Sequence, residues 1–162
     1  MDVTFRFART KEAPAVHHIL VEAFAPYAGR IYPPFQVLKA TPEDIAEAIR
    51  SRRHWYAVAC VDGLPVGTLC ATPKRLPRGR EYWLLSRLAV LPEYQGCHIA
   101  RKLIGWMHEK AIEHHVPELR GHVRTALPRL LRFYQRLGYK PIGYLSLPGF
   151  PRYITVVGRK LP

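Results

Sequence analysis

The stretch from Ser86 to His114, SRLAVLPEYQGCHIARKLIGWMHEKAIEH, leaves few folds open to this chain. Leu84, Leu85, Leu88, Ala89, Val90 and Leu91 form a short, almost continuous apolar run. A run of that length reads as a strand buried on both faces. Pro92 ends it, Tyr94 to His98 make a turn, and Ile99, Leu103, Met107 and Ala111 then recur at the spacing of one helix face. A strand, a tight loop and a helix therefore follow one another. The first NH groups of such a helix lack intrahelical partners and sit at the positive end of its dipole, so a phosphate is a natural guest there.

The rest of the chain supplies the setting. Val3 to Phe7 reads as a first strand, and Thr10 is placed to cap a helix with Val16, Ile19, Leu20, Ala23 and Phe24 on one face. Pro26 to Lys39 is a loop carrying Tyr27, Tyr32 and Phe35, and Thr41-Pro42-Glu43-Asp44 starts a short second helix. His54 to Val61 and Pro65 to Thr72 are strand-like runs joined by the hairpin signal Asp62-Gly63, and Pro73 to Arg80 turns into the strand that ends at Leu91. These three strands are expected to run antiparallel. Beyond Pro117 come a weak strand at Leu119 to Thr125, a helix outlined by Leu127, Leu130, Leu131, Tyr134 and Leu137 and closed by Gly138, and strands at Tyr139 to Leu147 and Tyr153 to Gly158. The order is β, α, α, β, β, β, loop, α, β, α, β, β.

The run Val90-x-Pro92-x-x-Gln95-Gly96-Cys97-His98-Ile99-Ala100-Arg101 resembles the acetyl-CoA loop of the GNAT N-acetyltransferases, with His98 where the family's first Gly stands. The element order matches that family from end to end. Leu127 to Tyr139 resembles its Asn-x-x-Ala-x-x-x-Tyr-x-x-x-Gly-Phe segment, with Leu127 in place of Asn. The resemblance implies an α/β (α+β type) GNAT fold over residues 1–162 as one domain. Its sheet would be mixed and mostly antiparallel, with helices on both faces and a splayed cofactor cleft between the fourth and fifth strands.

The resemblance also implies acetyl-CoA as cosubstrate. The backbone of Leu88, Ala89 and Val90 would pair with the pantetheine arm, and Gln95, Gly96, Cys97, His98, Ile99, Ala100 and Arg101 would surround the pyrophosphate. Tyr134 would give a proton to the leaving thiolate; on spacing alone it reads instead as a core aromatic of its helix. The family often places a Glu general base where this chain has Leu84; Glu81 and Ser86 are the polar residues nearby, and a water relay is an equal alternative. The transfer expected is direct, in a ternary complex, to a primary amine of a small molecule or peptide.

Composition narrows the acceptor and the location. The 25 Lys and Arg against 12 Asp and Glu give a net charge of +13, a field that favours anions. The basic residues are dispersed through Arg50–Arg53, Lys74–Arg80, Arg120–Arg136 and Arg152–Lys160, with no interleaved aromatics of the kind single-strand binders use. Nucleic acid is therefore not the expected partner. The loop Pro26 to Lys39, which the resemblance places on the acceptor side, contains no acid, and this points away from polycationic acceptors and toward an amine beside a carboxylate, phosphate or apolar body. No apolar segment reaches the roughly 20 residues of a membrane span, and the first residues do not resemble a signal sequence, so a cytoplasmic protein is expected. Cys60, Cys70 and Cys97 form no CxxC and read as free thiols; His108, His114 and His115 read as surface residues, and no metal is expected. A homodimer is compatible with all of this. The rival reading is a basic module of the same fold, with weak or no catalysis, that binds CoA or nucleic acid.

Overall fold

A computed structural model describes all 162 residues. They divide into two compact units, Met1–Thr72 with Arg87–Met107, and Pro73–Ser86 with His108–Pro162. Seven strands, β1 (Val3–Phe7), β2 (Trp55–Val61), β3 (Leu64–Arg75), β4 (Glu81–Val90), β5 (Glu118–Arg124), β6 (Lys140–Leu147) and β7 (Phe150–Lys160), hydrogen-bond in the order β1-β2-β3-β4-β5-β7-β6. β4 pairs with β5 in parallel, and β1 with β2, β2 with β3, β5 with β7 and β6 with β7 are antiparallel. The mixed, mostly antiparallel sheet expected from the element order is present. No helix is long and apolar enough to cross a membrane.

In the first unit, β1 (Val3–Phe7) pairs with β2 (Trp55–Val61), and β2 pairs with β3 (Leu64–Arg75) through a hairpin at Asp62 and Gly63. Both turn residues have positive φ, 49° and 86°, the conformation a two-residue hairpin demands. α1 (Ala13–Phe24) and α2 (Pro42–Ser51) bury Val16, Ile19, Leu20, Ile45 and Ala46 in a core shared with Tyr56, Val58, Cys60, Cys70 and Ala89. Tyr56, Val58 and Cys60 alternate along β2, so they share one face of the sheet. Ala57, Ala59 and Val61 are buried as well, so β2 is covered on both faces.

The cap expected from Thr10 is not made. Thr10–Glu12 form a 3-10 turn ahead of α1. Glu12 closes it instead, accepting from the Arg9 N–H at 2.8 Å while the Arg6 guanidinium grips both its oxygens at 2.6 and 2.7 Å. A bidentate ion pair on the neighbouring strand outcompetes a single hydroxyl. At α2 the expected cap is present: Thr41 Oγ1 accepts from Asp44 N–H at 3.1 Å, and Asp44 Oδ2 accepts from Thr41 N–H at 2.9 Å. Between α1 and α2, half-buried Phe24, Tyr27 and Phe35 pack ring on ring at 5.0 to 6.2 Å, while Tyr32 stays exposed.

β3 runs three residues beyond the expected end at Thr72, to Arg75, and only Leu76 to Arg80 form the turn, closed by Leu76 N–H to Arg80 O at 2.7 Å. β4 (Glu81–Val90) and α3 (Ile99–Glu113) each pass from one unit into the other. In the second unit, β4 pairs in parallel with β5 (Glu118–Arg124), and β5 lies antiparallel to β7 (Phe150–Lys160), which pairs with β6 (Lys140–Leu147). β7 thus begins at Phe150, earlier than the expected Tyr153, because Pro148-Gly149 alone makes the turn. α4 (Pro128–Arg136) has Leu127 at its N-cap with no side-chain cap. Thr125, which could have started that helix, instead bonds Thr155 at 2.9 Å. Glu118, buried at the start of β5, is paired with both Arg80 and Arg120.

Candidate active site

The site begins with a defect in β4. Its parallel pairing with β5 covers only Trp83 to Leu85. Two residues later Arg87 adopts φ +55°, a left-handed conformation inside a strand, which marks a bulge. The bulge turns the Arg87 guanidinium back to donate to Tyr56 Oη at 2.7 Å. Burial pushes the Tyr56 phenol up to about 12, against the opposing charge of Arg87, so Tyr56 remains a neutral acceptor. Beyond the bulge, Leu88, Ala89 and Val90 form the last strand of the first unit's sheet. None of the three is in the ladder that pairs β4 with β5.

The loop after β4 is tied down at each step. Leu91 N–H donates to Val66 O at 2.8 Å, Pro92–Tyr94 make a 3-10 turn, and the Gln95 side-chain amide donates to Val90 O at 3.0 Å. Gly96 has φ +82° and His98 φ +61°. Cys97 lies between these two left-handed residues. Lys102 N–H then reaches His98 O at 3.1 Å and α3 begins. No acidic residue stands in its first turn, where Arg101 and Lys102 are exposed. Like charges at the positive end of a helix dipole cost a few tenths of a kcal/mol to about 1 kcal/mol each until an anion is present.

Gly67 on β3 sets the height of this loop above the sheet. A Cβ at Gly67 would lie 3.3 Å from the Ile99 side chain and 3.4 Å from Ala89 O. The missing methyl group is what lets the first residue of α3 sit against β3. Ile99, Leu103, Met107 and Ala111 are all buried, as their spacing requires.

The ten expected cofactor residues all lie in the first unit. Gln95, Gly96, His98 and Arg101 are exposed, Leu88, Cys97 and Ala100 are half-buried, and Ala89, Val90 and Ile99 are buried, where their backbone rather than their side chains is on offer. His98 holds the left-handed conformation of the glycine it replaces, at a cost of about 1 kcal/mol.

Tyr134 belongs to the second unit. It is 5% exposed, edge-on to Phe133 at 5.5 Å and to Tyr139 at 5.3 Å, and its ring passes 3.7 Å from where a Cβ on Gly121 would stand. Burial alone pushes its phenol well above the ordinary range. The hydroxyl makes no protein hydrogen bond, yet no buried side-chain polar atom lacks a partner, so the accessible part of Tyr134 includes its hydroxyl. Tyr134 is a core ring of the second unit.

Some features escaped the sequence reading. The Arg87 bulge has no local signal, since an arginine in an apolar run reads only as a solvent-facing residue. His108 is not a surface residue: it is half-buried and hydrogen-bonded at both ring nitrogens, to Tyr139 Oη at 2.8 Å and Arg159 Nη1 at 3.3 Å. Its position four residues after buried Ile104 was the available clue. No group of three or more His, Cys, Asp or Glu gathers as a metal site.

Comparison with known proteins gives a consistent picture. The family model for the acetyltransferase (GNAT) family matches residues 14–139. No curated protein sequence matches. Among solved structures, PaiA N-acetyltransferase of Thermoplasma acidophilum in complex with coenzyme A superimposes with a TM-score of 0.79 at 16% identity, over 99% of this chain and 100% of that one. Ribosomal-protein-alanine N-acetyltransferase of Brucella melitensis gives 0.78 at 20% identity, over 98% and 99%. YncA of Salmonella typhimurium with its cofactor acetyl-CoA gives 0.76 at 18% identity, over 100% and 95%. At these identities the likeness is one of fold.

Proposed function

Because the chain belongs to the acetyltransferase (GNAT) family, we propose that it transfers the acetyl group of acetyl-CoA to a primary amine of a small molecule or peptide, directly and in a ternary complex. The observation that carries this reading is the loop before α3. Gly96 and His98, both left-handed, open onto a first helical turn that holds Arg101 and Lys102 and no acid. That arrangement is built for a phosphate group. Coenzyme A and acetyl-CoA in the structures of PaiA and YncA support the choice of anion.

Acetyl-CoA would supply an acetyl group already activated as a thioester. The backbone of Leu88, Ala89 and Val90 would hold the pantetheine arm as an added strand, and the N–H groups from Gly96 to Arg101 would hold the pyrophosphate. A backbone N–H beside the bulge would polarise the thioester carbonyl, assistance worth about 3 kcal/mol per donor. As the amine nitrogen bonds to the carbonyl carbon and the carbon–sulfur bond breaks, Tyr134 Oη–H would donate to the sulfur. Its raised pKa keeps that proton in place at neutral pH. The amine's surplus proton leaves to solvent, and Tyr134 is reprotonated from there.

The acceptor side is argued from charge. The segment from Pro26 to Lys39 offers half-buried Tyr27 and Phe35, exposed Tyr32, Arg30 and Lys39, and no carboxylate. An amine carried on a carboxylate-bearing or apolar body suits it better than a polyamine. Calorimetry with acetyl-CoA and with its dephosphorylated pantetheine fragment tests the reading. Acetyl-CoA should bind far more tightly, and His98→Gly should bind it at least as well as the parent; equal affinity for both ligands would remove the phosphate loop and the function with it.

A further inference from the structure

The second unit contains a polar chain that the transfer scheme does not use. Arg159 on β7 donates from Nη1 to Leu137 O at 2.6 Å and lies 3.3 Å from His108 Nδ1. A guanidinium can only donate, so Nδ1 accepts and the proton of the neutral ring is on Nε2. Nε2 lies 2.8 Å from the hydroxyl of Tyr139, which is 1% exposed. Burial first, and then the charge of Arg159, lowers the His108 pKa to about 4, which keeps this tautomeric arrangement intact at neutral pH.

Both ends of the chain meet the turn that closes α4. The carbonyl of Tyr134 accepts from Leu137 N–H at 3.0 Å and from Tyr139 N–H at 3.1 Å. Leu137 in turn is held through its own carbonyl by Arg159, whose side chain packs 3.5 Å from where a Cβ on Gly138 would project. Gly138, at φ +89°, leaves that space open. On the ring side, Tyr139 stands edge-on to Tyr134 at 83°. Tyr134 has no hydrogen bond of its own to aim its hydroxyl; its direction comes from this turn and this ring.

Accepting Tyr134 as the proton donor, we propose that His108 is a positioning residue for it: by joining Tyr139 to Arg159, His108 locks the closing turn of α4 and so the direction of the Tyr134 hydroxyl. Removing the lock leaves the cofactor loop untouched and loosens only the donor. Loss of sub-ångström placement of a reacting group costs between about tenfold and a hundredfold in rate.

A coupling experiment decides it. kcat and the KM for acetyl-CoA are measured for the parent, His108→Leu and His108→Gln, each with Tyr134 and again with Tyr134→Phe. His108→Leu should lower kcat about tenfold or more with the KM unchanged. His108→Gln, which keeps an N–H for Tyr139, should recover most of it. In the Tyr134→Phe background the His108 substitutions should have almost no further effect. A drop in kcat of the same size with and without the Tyr134 hydroxyl, a drop that His108→Gln fails to recover, or no drop at all would overturn the proposal. Tyr134→Phe alone reports separately on the donor assignment, since unchanged turnover in that single variant removes Tyr134 from the chemistry whatever His108 does.

Discussion

The N-termini of α2 and α3 stand in the same unit and solve the same physical problem in opposite ways. Every helix begins with N–H groups that its own backbone cannot satisfy. α2 closes the account internally: Thr41 and Asp44 bond each other's backbone N–H, Pro42 has no N–H to satisfy, and Glu43 adds a negative charge. α3 has no acid in its first turn and carries Arg101 and Lys102 there. It is preceded by two left-handed residues, Gly96 and His98. One helix end is finished by its own sequence; the other carries positive side chains at the positive end of its dipole, the contrast on which the proposed anion site rests.

The largest effect should come from re-aiming the open end. Gly96→Val meets no neighbour within 4 Å, so its whole cost lies in the backbone, which at φ +82° suits a β-branched residue badly. The strain is about 1 to 3 kcal/mol. If the loop relieves it by turning its N–H groups away, acetyl-CoA affinity measured by calorimetry should fall between about tenfold and a hundredfold. Unchanged affinity would mean that the N–H groups of this loop hold nothing.

The next test compares signs. Thr41→Ala should lower stability in denaturant by about 1 kcal/mol and leave acetyl-CoA binding alone. Lys102→Glu should do the reverse, raising the stability of the ligand-free protein by a few tenths to about 1 kcal/mol while weakening acetyl-CoA. If both substitutions shift stability in the same direction, the contrast between the two helix ends is broken.

The smallest effect is with pH. The Asp44 carboxylate is held below its ordinary value by the Thr41 backbone N–H and, after it, by the Thr41 hydroxyl. A group depressed in the folded state contributes stability that is present above its unfolded value, about 3.9, and is lost as pH falls through the folded one. The stability difference between the parent and Thr41→Ala should therefore be constant near neutrality and shrink below about pH 4. A difference that grows in acid would show that the cap works by some means other than the carboxylate.

What the sequence made legible follows from how local each cause is. The buried stripe Ile99, Leu103, Met107, Ala111 and the Thr41 cap depend on neighbours within a turn or two, and both are present as expected. His98 stands where the family resemblance calls for glycine, and the structure finds it left-handed. The Arg87 bulge was not legible, since a bulge arises from how a strand is paired on its two sides. Thr10 misled because its competitor is fixed from elsewhere in the chain: Glu12 is claimed by Arg6 from β1. His108 misled for the same reason, its partners Tyr139 and Arg159 being 31 and 51 residues away. The cofactor loop, built from one contiguous stretch, is the part of the site a linear reading handles best.

Gly67 carries a consequence for how the protein responds to heat. Because Ile99 rests on β3 where a methyl group is missing, the loop has no soft joint between itself and the sheet beneath it. Regions that open independently are those with few buried contacts of their own. The first turn of α3 has the opposite character: Ile99 and Leu103 are sealed into the core, and Leu91 is bonded to Val66 on the same strand that carries Gly67. The start of α3 is therefore expected to melt together with β3 and not ahead of it. The proposed anion site should then keep its framework for as long as the sheet beneath it lasts.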